Sequence, residues 1–375
     1  MNKGANKLFE KVPCNTGRQI ELDIGKALPV LCLPFVHCVI ECCTEEQLLS
    51  GVPFLFDSII GGPLSAPMFL FCMGATINYS SHTKTPGSLA LRGLKLIGLG
   101  FLLNLFRIVI PFLIGWRITG DTAQYIRPMP FLTFGNDVLM FAGMCLLCLA
   151  LVTKLRIPKW GIFVIALTLS VIGTLLRGTD MNNDVLNVIF GWFIGTVSSR
   201  NYIYSEFTLF NWLIIPTVGY LFGGILRRVR DKKRFYLCFS PTLLALVLVY
   251  FYFGIRYDIG MFGEGENAYY HLYTYDAFAC LAVTLGLLGF YASTAHLLPL
   301  KIRKFLCYVS SNITAFYCIH WVFVRVITNV ILYAITGSQQ LPVWAIMLVS
   351  LCIMLLTLLV LYIYRELCPK EREAI

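Results

Sequence analysis

Ten apolar runs punctuate this chain, at about 24–41, 56–79, 93–114, 131–153, 160–176, 207–226, 236–255, 275–297, 305–334 and 341–364. A helix crosses a bilayer with roughly 20 apolar residues. The 375 residues therefore hold about ten spans joined by short loops, with no stretch polar or long enough for a separate soluble domain. The expected fold is all-α: a polytopic integral membrane protein forming one domain over 1–375, with 1–19 as a lead-in and 365–375 as a tail. A shorter, Gly-punctuated run at 185–199, DVLNVIFGWFIGTVS, reads as a re-entrant or interfacial piece.

Composition agrees. The chain is 58% hydrophobic and 13% charged, where soluble domains are about half apolar and about a quarter charged. That excludes a cytosolic enzyme, a disordered chain, a disulfide-stapled secreted module and a nucleic-acid binder. Most of the 14 cysteines lie in apolar runs, where thiols behave as small hydrophobes. No C-x-x-C pair sits with a second pair or a His cluster at zinc spacing, and adjacent Cys42 and Cys43 are poorly placed to bond each other. The first run follows a polar lead-in and has no small-residue cleavage site after it, so it reads as an uncleaved anchor.

The net charge of +10 invites a polyanion as partner, but its distribution says otherwise. With ten spans and the N-terminus inside, 23 of the 30 Lys and Arg fall on the inner side, six of them in RRVRDKKR at 227–234. Arg107, Arg117, Arg127, Arg177, Arg200, Arg256 and Arg325 lie outside or within spans, and the acidic residues favour the outer side. Lys and Arg retained on the cytoplasmic side set orientation. Both termini are expected to be cytoplasmic, in a multi-pass protein of the cell membrane. The excess would also favour an anionic cytosolic ligand.

Ionisable side chains at membrane depth are costly and mark sites. The first span, ELDIGKALPVLCLPFVHCVIE, contains Asp23, Lys26, His37 and Glu41. Eleven residues are close to three helical turns, so Lys26 and His37 share a face, about 16 Å apart along the axis. Asp23 is spaced to pair with Lys26, and Glu41 stands one turn beyond His37. A histidine backed by a carboxylate can accept and return a proton near neutral pH, though a lone intramembrane histidine equally serves to bond a neighbouring helix. GGPLSAPMFLFCMG at 61–74 suggests a broken helix. In the third span Asn104 and Arg107 share a face, and Arg107 either enters a site or snorkels outward. SSNITAFYCIHWVFVRVITNV places Asn312, Tyr317, His320 and Arg325 in one helix. Five residues separate His320 from Arg325, so at most one is expected to face a given cavity. Gly191/Gly195 and Gly219/Gly223 have the small-xxx-small spacing of close helix packing. No Walker loop, nucleophile elbow, H-E-x-x-H or carboxylate pair appears.

The lead-in and first span, D-x-x-K-x10-H on Asp23, Lys26 and His37, resemble the opening of the transmembrane acyltransferase superfamily. That group includes the acyltransferase-3 and heparan-α-glucosaminide N-acetyltransferase-like proteins. Its usual form has Arg where Lys26 stands, and Lys lacks the bidentate fork. Three further stretches resemble the family in order. They are Ala66-Pro67 through Gly74 followed by Arg92-Gly93, then Phe210-Asn211-Trp212 with Gly219-Tyr220, and Ser310-Ser311-Asn312 through Trp321. The likeness touches both ends and the middle, and is closest to bacterial members without a fused esterase domain.

The resemblance implies an acyltransferase that takes an acyl group, often acetyl, from cytosolic acyl-CoA to a hydroxyl or amine of an extracytoplasmic carbohydrate. His37 would be the catalytic residue, as general base or transient acyl carrier, with Glu41 orienting it. Lys26, Arg92 and Lys95 would meet the CoA phosphates. Asn104, Arg107, Asn312, Tyr317, His320 and Arg325 would line the substrate cavity. Acetyl-CoA is the implied co-substrate, with no metal. The expected partners are the lipid bilayer, acyl-CoA and the carbohydrate acceptor, with a homodimer as one option and no nucleic acid. Broken helices and intramembrane Arg and His also suit a transporter or flippase, although no symmetry between two halves is visible.

Overall fold

The computed structural model describes residues 8–80, 85–197, 205–263 and 267–367. Among them the chain is helical, with two isolated β-bridges (Phe9 to Val229, Thr179 to Thr196) and no longer strand. Lys3, Lys7, Lys84, Arg200, Lys370 and Arg372, and positions 198–199 of the Gly-punctuated run, lie outside the described residues.

Nine helical segments among the described residues are long and apolar enough to cross a membrane: Ile20–Cys42, Gly51–Ile77, Pro86–Thr119, Thr122–Lys154, Leu209–Leu226, Lys232–Phe262, Thr274–Leu297, Ile313–Thr336 and Val343–Leu367. The helix Lys159–Leu175, 17 residues long, is apolar but shorter than those nine. At about 1.5 Å per residue it covers roughly 25 Å. Its two ends meet different helices: the Lys159 ammonium lies against Gly224 near the end of one span, and Thr174 hydrogen-bonds Thr274 at the start of another.

The lead-in packs on the basic loop. The backbone amides of Glu10 and Cys14 donate to the carbonyls of Arg228 and Arg227. Residues 8–15 and 227–231 therefore share one face, called the basic face below. The segment after Asn183 forms the eight-residue helix Asp184–Gly191, capped by the Asn183 side chain. It then folds back, since Gly178 donates to the Gly195 carbonyl and Val197 to that of Thr179. Its described part turns back on the face opposite the basic loop.

The helices used below are α1 (Ile20–Cys42), α2 (Ala66–Ile77), α3 (Pro86–Asn104), α4 (Val138–Lys154), α5 (Ile214–Leu226), α6 (Thr274–Thr294), α7 (Leu300–Ser311), α8 (Ile313–Arg325) and α9 (Val343–Leu367). α1 is central and packs on α2, α6, α7, α8 and α9. α3 lies chiefly on α4, with Gly93 and Gly143 against each other's carbonyls. α2 and α5 approach as closely: a Cβ on Gly219 would meet the Phe71 carbonyl oxygen at 2.1 Å, and one on Gly223 the Ala75 oxygen at 2.3 Å. The Gly219/Gly223 spacing is thus a helix-packing device. The Gly191/Gly195 spacing is not, because Gly195 makes room for the His271 ring.

Two runs depart from simple spans. The glycines and prolines of 61–74 do break the helix: a π-helical stretch Leu55–Gly61 ends at Gly62, and α2 restarts at Ala66. The run 305–334 is broken at Asn312 into α7 and α8. α7 buries Leu306, Val309 and Ser310 while Lys301 and Lys304 stay exposed. Its charge on one side makes it an interfacial helix along the basic face.

Candidate active site

α1 contains Pro29 and Pro34, whose missing amides loosen its middle. His37 follows Ile20 by about 25 Å of helix rise, in the half away from the basic face. Its ring lies on the indole of Trp321 from α8, centroids 3.9 Å apart, and faces the His320 ring at 5.4 Å. No hydrogen-bond partner of the His37 imidazole is found among the described residues.

Two ion pairs flank this stack. Arg107 sits in the π-helical stretch Leu105–Val109 that follows α3, where the wider turn re-aims side chains. Its Nη2 donates to Asp137 Oδ2 at 2.8 Å and its Nε to Asn104 Oδ1 at 2.9 Å. Asp137 also caps α4 through the amides of Leu139 and Met140, and receives the Tyr317 hydroxyl at 3.4 Å. The second pair joins Arg325 Nη1 to Glu41 Oε2 at 2.8 Å. Arg325 immediately precedes another π-helical stretch, Val326–Leu332. The guanidinium carbons of Arg107 and Arg325 lie 4.8 Å and 5.4 Å from the Trp321 ring centroid, so the indole is held between two cations. Three π-helical stretches thus pack round one cluster, since Leu55–Gly61 and Val326–Leu332 both contact α1 and Leu105–Val109 contacts α8.

The cluster keeps polar atoms in reserve. His320 Nδ1–H donates to the Phe316 carbonyl, which leaves Nε2 as an acceptor. That Nε2, the Trp321 Nε1–H and the Arg325 Nε–H are all buried without a described partner. Buried polar groups are normally satisfied, so one acceptor and two donors in a single cluster point to a ligand that is polar where it meets Trp321. No group of three or more His, Cys, Asp or Glu among the described residues is arranged to hold a metal ion.

The structure sorts the sequence candidates. His37, Glu41, Asn104, Arg107, Tyr317, His320 and Arg325 converge. Arg107 is buried and paired, and does not snorkel. Glu41 engages Arg325 rather than the His37 ring. His320 and Arg325 both border the cluster, contrary to the expectation of one, because Trp321 bridges them: it adjoins His320 and lies one turn before Arg325.

Asn312 lies at the other end. It sits at the break before α8, accepts from Arg365 and donates to the Tyr308 carbonyl, so it does not line this cluster. Lys26 lies 3.5 Å from Asp23, which also binds Arg18 at 2.6 Å and Ser310 at 2.6 Å. Arg92 and Lys95 are exposed on α3, which packs on α4 and not beside Lys26.

Sequence inspection missed three members. Trp321 reads as one more aromatic in an apolar run, and Asp137 as an outer-side acid. Glu206, in the loop ahead of Leu209, carries no motif. Burial pushes its carboxyl above the usual range, and the charge of Arg107 pulls the other way.

A family model described as an acyltransferase domain matches residues 19–365, nearly the whole chain. Searches among curated proteins and among solved structures found no match. With nine candidate membrane spans among the described residues and that match, the chain belongs to the acyltransferase-3 family and is a multi-pass membrane acyltransferase.

Proposed function

We propose that this acyltransferase transfers an acyl group, acetyl being the simplest, from acyl-CoA at the basic face to a carbohydrate hydroxyl or amine reaching the cluster from the opposite face, with the basic face cytoplasmic in the cell membrane. The observation that carries the reading is the His37 ring, without a hydrogen-bond partner among the described residues, lying against Trp321 in a cluster whose buried donors have no described partner. In the step proposed, His37 takes the proton of the acceptor O–H or N–H as that atom attacks the thioester carbonyl. The developing oxyanion accepts hydrogen bonds from the Trp321 and Arg325 N–H groups, which were desolvated in advance. Collapse breaks the C–S bond, and the imidazolium returns its proton to the departing thiolate. Glu41 acts on Arg325, holding the guanidinium beside the indole, so it is a positioning residue. Lys26, on the helix of His37, is the one of the three basic-face candidates placed to meet a donor moving toward that residue.

The test is turnover of acetyl-CoA by purified protein in nanodiscs, with an oligosaccharide panel as acceptor and free thiol as readout. General bases contribute about 10²–10⁴-fold, so His37→Ala should lose at least 100-fold. Acceptor-dependent release of CoA at wild-type rate by that variant would remove His37 from the mechanism. Mass spectrometry of protein quenched without acceptor separates the two roles of His37, because an acyl-carrier route leaves the acyl mass on it.

A further inference from the structure

A cavity of about 680 Å³ opens at the basic face where the start of α1, the interfacial helix α7 and the end of α9 meet. It is far from the cluster around His37, being at the opposite end of α1. Arg18, Arg303, Lys304 and Arg365 line it against one acid, Glu366. The nearby Asp23 offsets little of this charge, because Lys26 and Ser310 hold it along with Arg18. Arg18 is fixed in place: its Nη2 donates to the Cys307 carbonyl and the Ser311 hydroxyl, both at 2.9 Å. Two polar atoms here, Arg303 Nε and the Tyr308 hydroxyl, are buried without a described partner. Ile20, Leu300 and Tyr362 add an apolar wall.

We propose that this cavity is a phosphate-binding site for an amphiphilic anion. Fixed guanidinium groups favour phosphate, whose oxygens accept paired N–H donors. The two orphaned atoms both have a hydrogen to give. The apolar wall fits a ligand whose phosphate is joined to a less polar body. Two sources share that chemistry: the headgroup of an anionic phospholipid, and the phosphates of a CoA thioester. The second would make the cavity the donor's anchor, and that arm rests on the acyl-CoA reading. The first does not.

Both arms are read as binding, without turnover. In the lipid arm, protein in mixed micelles of phosphatidylglycerol and phosphatidylcholine is examined for co-purified lipid by native mass spectrometry. In the other, CoA and dephospho-CoA, which lacks the 3′-phosphate, are titrated into protein in phosphatidylcholine nanodiscs. Arg303→Gln with Lys304→Gln should weaken binding at least tenfold in one arm, and Tyr308→Phe several-fold in the same arm. Tyr308→Phe removes one hydroxyl without changing charge, so it stays informative where the double variant fails to fold. Lys154→Gln with Lys233→Gln makes the same charge change on the same face and should bind as wild type. Loss in the lipid arm alone assigns a phospholipid, and loss in the CoA arm assigns the donor. Wild-type binding by the pocket variants in both arms, or equal loss in the Lys154/Lys233 control, overturns the site.

Discussion

His37 and Trp321, from helices α1 and α8, lie against each other with ring centroids 3.9 Å apart and planes inclined by 34°. Their sequence separation is large, so the contact exists only when the two helices are packed. Among the described residues it places an imidazole without a hydrogen-bond partner against an indole whose buried N–H has none either. A ring contact of this kind restrains the imidazole plane while leaving both ring nitrogens available.

Trp321→Phe separates the two roles of the indole. The ring contact survives and the N–H is lost, so folding should be preserved while kcat falls on the order of 10²-fold, as when one oxyanion donor is removed. Trp321→Ala should in addition destabilise by about 3–5 kcal/mol, the usual cost of emptying a buried aromatic site. Thermal unfolding and initial rates on the same preparations check both. Wild-type kcat in the Phe variant would mean that the indole only packs.

The buried pair of Arg107 and Asp137 makes a sharper stability prediction. Removing one partner leaves a charge without compensation, at about 3–5 kcal/mol. Asp137→Ala also removes the cap on the amides of Leu139 and Met140, worth about 1 kcal/mol more. Arg107→Met alone leaves the cap and should cost less. The double variant Arg107→Met, Asp137→Ala should be more stable than Asp137→Ala. A double-variant cycle of denaturant unfolding measures the coupling; additive losses would show that the two charges do not compensate each other.

The spans were legible because lipid imposes a length and a polarity that few residues can evade. Even so, the run at 305–334 misleads: its composition is continuous, whereas the amphipathic α7 turns aside at Asn312 to keep Lys301 and Lys304 at the surface. His37, Arg107 and His320 stood out because charge and polarity are rare at that depth. Asp137 and Trp321 did not, since an acid at the start of a span and an aromatic inside one have ordinary explanations. What joins them is the re-aiming of Arg107 by a π-helical turn, a backbone irregularity with no composition of its own. Asn312 stands apart for the converse reason: eight residues of chain, about 12 Å of helix rise, separate it from His320, and it lines the basic-face cavity instead.

Close packing of α2 on α5 gives a prediction with a built-in control. Gly219→Ala sets a methyl 2.1 Å from the Phe71 carbonyl oxygen, and backbone cannot retreat as a flexible side chain can. The helices must separate, at a cost of about 1–3 kcal/mol by the usual scale of overpacking. Gly98→Ala adds the same methyl where nothing lies within 4 Å, and in a helix interior that substitution should be neutral or stabilising by up to about 1 kcal/mol. Melting temperatures of the two variants should move in opposite directions or differ by several degrees. Equal shifts would mean that the α2–α5 contact yields easily.

His271, in the loop between the spans Lys232–Phe262 and Thr274–Leu297, makes the fold sensitive to acid. It is buried at 1% exposure, and its Nε2–H donates to the Ser205 carbonyl at 3.2 Å. Burial brings its pKa down from 6.5 to about 4; the Ser205 hydrogen bond opposes this and Arg177 adds to it. Above pH 6.5 the ring is neutral in both folded and unfolded chains, and stability is intact. As pH falls from 6.5 toward 4, the unfolded chain binds a proton that the folded one refuses, so stability declines. Below about 4 both forms are protonated and the loss levels off. At about 1.4 kcal/mol per unit the full loss is about 3 kcal/mol. His271→Gln keeps an N–H for Ser205 and removes the titration. The melting temperature of the wild type should fall between pH 6.5 and 4 by more than that of the Gln variant. Parallel profiles would place the acid sensitivity elsewhere in the molecule.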